Sequence, residues 1–309
     1  MRSNRFPLAE INFNRVRENA QRIAQATGVA LIAVIKADAY GLGARQVVSA
    51  LADVVEGFYC FRLHEAVDAQ KRETDKPTLA LAIDETISAE DYRSHNVRPA
   101  IWDAPRAVQL RAAAPVLIVD TGMQRFACPR ERIDDVVRAG DCDEAFTHAT
   151  RVEHARWLRE WCAGKNLRLH AAASSLLDVP EARLDAVRPG LALYRDAVRV
   201  TTRLLEARDT NGPTGYGGFV SATGRHGVIA GGFTAGLRPG PCRINGERRR
   251  IVECGMQTSF VEIGKSDKAG DEVVILGDDL TLEEVAKAWI VTPHEALWRL
   301  ASSNRHAQP

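Results

Sequence analysis

The chain of 309 residues lacks an excess of charge of either sign: Lys and Arg number 41, Asp and Glu 40. That balance gives no bulk attraction to nucleic acid or to an anionic membrane surface, and neither is expected as a partner. No apolar run approaches the roughly 20 residues that a membrane span needs. The opening MRSNRFPLAEINF has no apolar signal core before its polar residues. The six cysteines, Cys60, Cys128, Cys142, Cys162, Cys242 and Cys254, form no CxxC pair. Scattered thiols in a chain of this size read as reduced and mostly buried, which fits a cytoplasmic location and gives no reason to expect a metal. Low-complexity tracts are absent. So is a GxGxxG opening a helix after a strand, which argues against a dinucleotide-binding sheet.

What is present is organised around residues 29–43, VALIAVIKADAYGLG. Val29 to Ile35 is an unbroken, β-branched-rich apolar run, the pattern of a strand buried on both faces. It stops at Lys36. An amine at the end of a buried parallel strand stands where α/β folds place their chemistry. Low polarity around it would depress its pKa and make it a nucleophile towards an aldehyde. Taken alone, a strand-end lysine usually points into water.

The rest of the chain alternates. Ala9–Phe13 reads as a short strand and Asn14–Gln25 as a helix, ahead of the Lys36 strand. After that strand, apolar runs at 57–61, 78–83, 98–102, 115–119, 144–147, 167–172 and 184–187 read as seven more. Helical spacing separates them at 44–51, 63–72, 88–93, 105–113, 130–138 and 152–163. Eight strand–helix alternations in about 190 residues predict an α/β fold, a compact (β/α)8 TIM-like barrel, over residues 1–195. From about Asp196 the pattern changes to short β-like runs at 199–207, 218–220, 226–229, 249–254, 259–263 and 272–276, joined by Gly, Asn and Pro turns. This predicts a C-terminal β-rich domain over 196–309, which the first strand could join. Helices are expected at 282–288 and around 294–300.

The string AVIKADAYGLG closely resembles the cofactor-binding segment of alanine racemases, whose lysine holds pyridoxal 5'-phosphate (PLP). The resemblance continues along the chain and covers nearly all of it, including the order of barrel and β-domain. It implies a PLP enzyme acting on a small amino acid. Lys36 would be the cofactor-bearing lysine and catalytic base of one face, and Tyr40 would help hold the phosphate. Residues 119–125, VDTGMQR, are similar to the family's VDTGMGR, whose arginine, here Arg125, reaches cofactor and substrate carboxylate. His148 matches a histidine that stacks on the pyridine ring. Ser174 matches a phosphate serine. Residues 187–194, VRPGLALY, carry Arg188 opposite the pyridine nitrogen, with Gly190 and Leu191 offering backbone N–H groups to the phosphate. Met256 matches a methionine near the substrate, in a segment that the family's partner subunit delivers, so a head-to-tail homodimer is also implied.

Departures from the family pattern fall at defined places. Ile118 stands where a lysine commonly steadies the arginine, and Ala173 stands where an asparagine precedes the phosphate serine. Phe233 occupies the register of the tyrosine that serves as second base, and Gln257 that of an aspartate. Near the C-terminus only Ser302 and Ser303 stand where a phosphate-binding tyrosine is expected. A phenyl ring takes no proton. The expected activity is therefore alanine racemase-like interconversion, impaired at its second face. The alternatives are one-face Cα chemistry (aldol cleavage, elimination or decarboxylation) and a PLP-binding relative without catalysis.

Overall fold

A computed structural model describes residues 6–70, 73–82 and 86–304. It divides into two compact units, one of residues 13–39 and 43–195, the other of residues 6–12, 40–42 and 196–304.

The larger unit is a closed barrel of eight parallel strands: β2 (Ala30–Val34), β3 (Gly57–Cys60), β4 (Thr78–Ala80), β5 (Val97–Ile101), β6 (Val116–Ile118), β7 (Glu144–Ala149), β8 (Arg168–Ala172) and β9 (Ala186–Val187). The ring closes where β9 pairs with β2, Ala186 opposite Ala30 and Val187 opposite Leu31. β3, β4 and β6 are buried at every position, as strands with helices outside and side chains within must be. Gly57 is required where β3 starts, because a Cβ there would stand 2.8 Å from the Pro77 carbonyl. The intervening helices start where short polar side chains cap them. Ser88 and Asp91 form a reciprocal capping box, and Asp103 accepts from the Arg106 amide.

The smaller unit is a seven-stranded antiparallel sheet. Its strands are β1 (Leu8–Ile11), β10 (Val198–Asp209), β11 (Arg225–Ala230), β12 (Gly240–Ile244), β13 (Glu247–Cys254), β14 (Thr258–Glu262) and β15 (Glu272–Leu276). They lie in the order β1-β10-β11-β14-β13-β12-β15, and β10 also pairs with β15. Helices Leu282–Trp289 and Pro293–Asn304 end the chain.

Three local expectations are corrected. Residues 218–220 form no strand: they close a glycine-rich turn through one isolated bridge, Thr214 to Phe219. β12 carried too little apolar patterning to be expected, since it opens Gly-Pro. The stretch 184–187 narrows to two strand residues because Leu184 adopts φ 52°. The helix and strand ends expected at Arg72 and Ile83 lie outside the described residues.

Candidate active site

Lys36 follows the buried end of β2. Its strand end is tied down by the chain around it: the Ile35 amide donates to the Tyr59 carbonyl at 2.8 Å, and the Tyr194 hydroxyl donates to the Val34 carbonyl at 2.7 Å. The next four residues, Ala37 to Tyr40, all have φ between 53° and 59°, a short left-handed turn. For residues with a Cβ this conformation costs roughly 1–2 kcal/mol each, so tertiary contacts must hold it. One is Glu65, whose carboxylate accepts the Ala37 amide at 3.0 Å. Another is Asp38, whose Oδ1 accepts the Ala44 amide at 2.7 Å. Lys36 keeps access to solvent. Its pKa is nonetheless lowered, by desolvation first and then by Arg125 and Arg188, with Glu65 opposing.

Arg188 lies beyond the end of β9, only 3% exposed. A guanidinium donates to the Thr147 carbonyl and stacks over two rings, Phe146 at 4.5 Å and Tyr59 at 5.2 Å. Its Nε, although buried, makes no hydrogen bond. Burial lowers its pKa. Below it, Phe146 stacks on His170 with centroids 5.1 Å apart, and His170 Nε2 sits 2.8 Å from Glu144 Oε1. Arg98 holds the other oxygen at 2.7 Å. His170 is fully buried and brought down to about 4, neutral at pH 7. Glu144 stays ionised: burial opposes this, but His170 and Arg98 bring it to about 2.

His148, on β7, is half-buried and held down at about 4, by desolvation first and then by Arg188, Lys36 and Arg125. A histidine beside three cations is a neutral ring at pH 7, suited to stacking rather than to accepting a proton. These four groups thus come together at one end of the barrel.

Arg125 is exposed, and among the described residues no carboxylate pairs with it. Its loop is nevertheless ordered. Asp120 Oδ1 accepts from the Gly122 and Gln124 amides at 2.8 and 3.0 Å. The Cys128 amide donates to the Ile118 carbonyl at 2.7 Å, and the Asp120 amide to the Cys128 carbonyl at 2.8 Å. The Phe126 ring rests on Trp102, 5.4 Å away. Ile118 is buried in β6 and offers only its backbone.

Ser174 opens a 3-10 turn after β8, and its Oγ accepts the Gly190 amide at 3.0 Å and the Ala192 amide at 3.1 Å. Two backbone donors converging on one oxygen at the start of a helical turn are suited to an anion. Ala192 joins Gly190 on the Ser174 oxygen, a contact that the sequence did not single out. Tyr59, Phe146 and His170 were also unflagged: aromatic and histidine side chains inside strands read as core. The chemistry of the donors fits PLP, with an amine, an anion cradle and a buried guanidinium whose Nε is unsatisfied.

In the sheet unit, Tyr40 is 7% exposed, its ring 5.6 Å from that of His294. Phe233 is 56% exposed and Met256 61%. The Phe233 amide donates to the Gly255 carbonyl at 2.9 Å, and Thr234 Oγ1 to the Met256 carbonyl at 2.7 Å. The two segments approach closely at Gly232, where a Cβ would fall 2.1 Å from the Gly255 carbonyl. The Gln257 carbonyl accepts the Gly231 amide at 2.8 Å.

Comparison with known proteins agrees with this architecture. The family model described as alanine racemase, N-terminal domain, matches residues 11–198. An alanine racemase of Mannheimia succiniciproducens is 30% identical, the match covering 92% of this chain and 94% of that protein. One of Neisseria meningitidis serogroup C is 27% identical, over 93% and 95%. The alanine racemase from D-cycloserine-producing Streptomyces lavendulae shares the fold with a TM-score of 0.87 at 21% identity, over 97% of this chain and 96% of that one. The Bartonella henselae alanine racemase, solved with covalently bound pyridoxal phosphate, shares it with a TM-score of 0.86 at 21% identity, over 97% and 99%. With a family model spanning the whole barrel and relatives matched along nearly their full length, the chain belongs to the alanine racemase family.

Proposed function

We propose that the protein is a PLP-dependent isomerase of small amino acids, alanine foremost, acting in the cytoplasm as a homodimer. The observation that carries the reading is the joint placement of Lys36, Arg188, His148 and Arg125 at one end of the barrel, close enough that the two arginines lower the basicity of both Lys36 and His148. Bound PLP supplies an electron sink that makes the α-proton of an attached amino acid removable. Lys36 would hold the cofactor through its amine and move the proton on one face of Cα, its lowered pKa favouring the neutral form. Gly190 and Ala192, with Ser174, would hold the phosphate. Arg188, unable to give up its proton, would face the pyridine nitrogen and keep it unprotonated. Arg125 would take the substrate carboxylate, for which a guanidinium fork is suited. Tyr40 and Leu191 remain assigned to the phosphate by resemblance, and Met256 to the substrate.

Phe233 favours a second reading, one-face Cα chemistry, since the residue has no ionisable group. The dimer rests on the exposed apolar surface of the sheet unit, where Phe233, Met256 and Tyr216 are 56%, 61% and 85% exposed. Turnover of D- and L-alanine against a panel of small amino acids, read for both racemisation and side-chain cleavage, separates the readings. If the PLP-loaded protein catalysed neither α-proton exchange nor side-chain cleavage or decarboxylation with any of them, both readings would fall. Sedimentation of a stable monomer with full PLP occupancy and activity would remove the dimer.

A further inference from the structure

We infer that Glu65 is a positioning residue for Lys36, one carboxylate that clamps the strained turn carrying the lysine and sets an anion opposite the site's cations. This rests on the reading of Lys36 just given. Glu65 lies in the first turn of helix Leu63–Gln70, where an acidic residue ordinarily does no more than satisfy the free amides of the helix start. One of its oxygens does so: Oε2 accepts the Phe61 amide at 2.7 Å and the Arg62 amide at 3.1 Å. The other oxygen leaves the helix. Oε1 accepts the Ala37 amide at 3.0 Å, the peptide group directly after Lys36.

The placement has a physical reason. From Ala37 the backbone runs through four consecutive left-handed residues, none of them glycine. Such a segment persists only where its surroundings over-determine it. Asp38 pins the far end to the Ala44 amide, and Glu65 pins the near end to the end of β3, the strand beside β2. The Lys36 Cα is therefore fixed between a paired strand and a clamped amide, which aims the amine. Charge adds a second effect. The groups facing Lys36 are Arg125 from the loop after β6, His148 from β7, Arg188 from beyond β9, and Glu65 from its helix. Arg125 and Arg188 lower the lysine's pKa, His148 is neutral near pH 7, and among the described residues Glu65 is the one that acts to raise it. The carboxylate thus limits how far the arginines depress the amine.

Glu65→Gln in the PLP-loaded protein removes the charge with little change of shape. Two readouts apply. Hydrogen exchange at the Ala37 amide should accelerate at least about tenfold, the loss expected for a hydrogen bond to a charged acceptor. The pH midpoint of the bound cofactor's visible absorption should fall by about one unit. If only the Phe61 and Arg62 amides accelerate, and the midpoint stays put while thermal stability drops, Glu65 is a helix cap and the inference is overturned. Should Glu65→Gln fail to fold, Glu65→Asp keeps the charge at shorter reach. Faster Ala37 exchange in it supports the clamp, and wild-type exchange overturns it. Borohydride trapping of PLP on wild-type Lys36 is run alongside. Failure there removes the role of Lys36 itself, whereas the Ala37 exchange still decides whether Glu65 clamps the turn.

Discussion

The Arg188 guanidinium lies 4.5 Å from the centre of the Phe146 ring, and that ring in turn stacks on His170 at 5.1 Å. The cation is held by π-faces and one carbonyl, with no carboxylate in direct contact among the described residues. Such an arginine stays charged yet has an unsatisfied Nε to offer. Replacing it by Glu should let the pyridine nitrogen keep a proton and strengthen the ring as an electron sink. Long-wavelength absorption should then build when alanine is added, and turnover should fall. An unchanged spectrum with undiminished PLP affinity would make Arg188 a structural residue.

Lys36 is tested directly. Borohydride reduction of the PLP-loaded protein should abolish the visible band and leave PLP on the peptide containing Lys36. Lys36→Ala should show no trapped cofactor. Equal PLP binding by both proteins, with neither trapped, would overturn the assignment.

Glu144 gives a prediction in pH. Its pKa is depressed from 4.5 to about 2 by His170 and Arg98 against the opposing effect of burial. A depressed carboxylate contributes stability that is full above about 4.5 and is lost as pH falls towards about 2. Glu144→Gln should therefore cost about 3 kcal/mol at pH 7. The difference from wild type should shrink steadily between pH 5 and the acid limit of folding. Thermal melts across that range are the measurement, and a pH-independent difference would locate the loss in packing instead.

Much of the barrel half was legible because its signals are local. β2 is an uninterrupted apolar run ending in Lys36, and strands buried on both faces leave such runs wherever they occur. Arg188, Arg125 and Ser174 lie beyond strand ends and His148 near the end of β7. Position alone reads as a surface, core or capping residue, and it was the resemblance of the surrounding segments that singled them out. The left-handed turn after Lys36 was not legible. Four residues with side chains adopt a conformation that local propensity disfavours, and the groups that hold it, Glu65 and Asp38, act through tertiary contacts. Ala192 escaped notice for a related reason, since a backbone amide carries no signature in residue type. β12 was missed because Gly240 and Pro241 mask its alternation, and residues 218–220 were overread because Phe219 and Val220 supply apolar character to what is a turn.

Phe233 should make the protein a poor alanine racemase. Racemisation needs a proton removed from one face of Cα and one delivered to the other, and a single lysine cannot readily reach both. Phe233 carries no ionisable group, and its backbone, pinned to Gly255, leaves the ring 56% exposed on the sheet unit. A positioned acid or base contributes about 10²–10⁴-fold, so turnover should be lower by something on that scale. By resemblance to alanine racemases Lys36 would serve the D-isomer, so deuterium uptake at Cα should be fast for D-alanine and slow for L-alanine. Phe233→Tyr should raise uptake by the L-isomer and racemisation together, while leaving D-isomer uptake near its starting rate. Reverting Gln257 to Asp and Ile118 to Lys should increase the gain, because the first lies beside Met256 in the same segment and the second precedes the loop of Arg125. Fast and equal uptake of deuterium by both isomers in the unaltered protein would mean that another group takes the second proton. Tyr216, on a turn whose amide is held by Glu253 at 2.7 Å, and Cys254 are then the residues to substitute first.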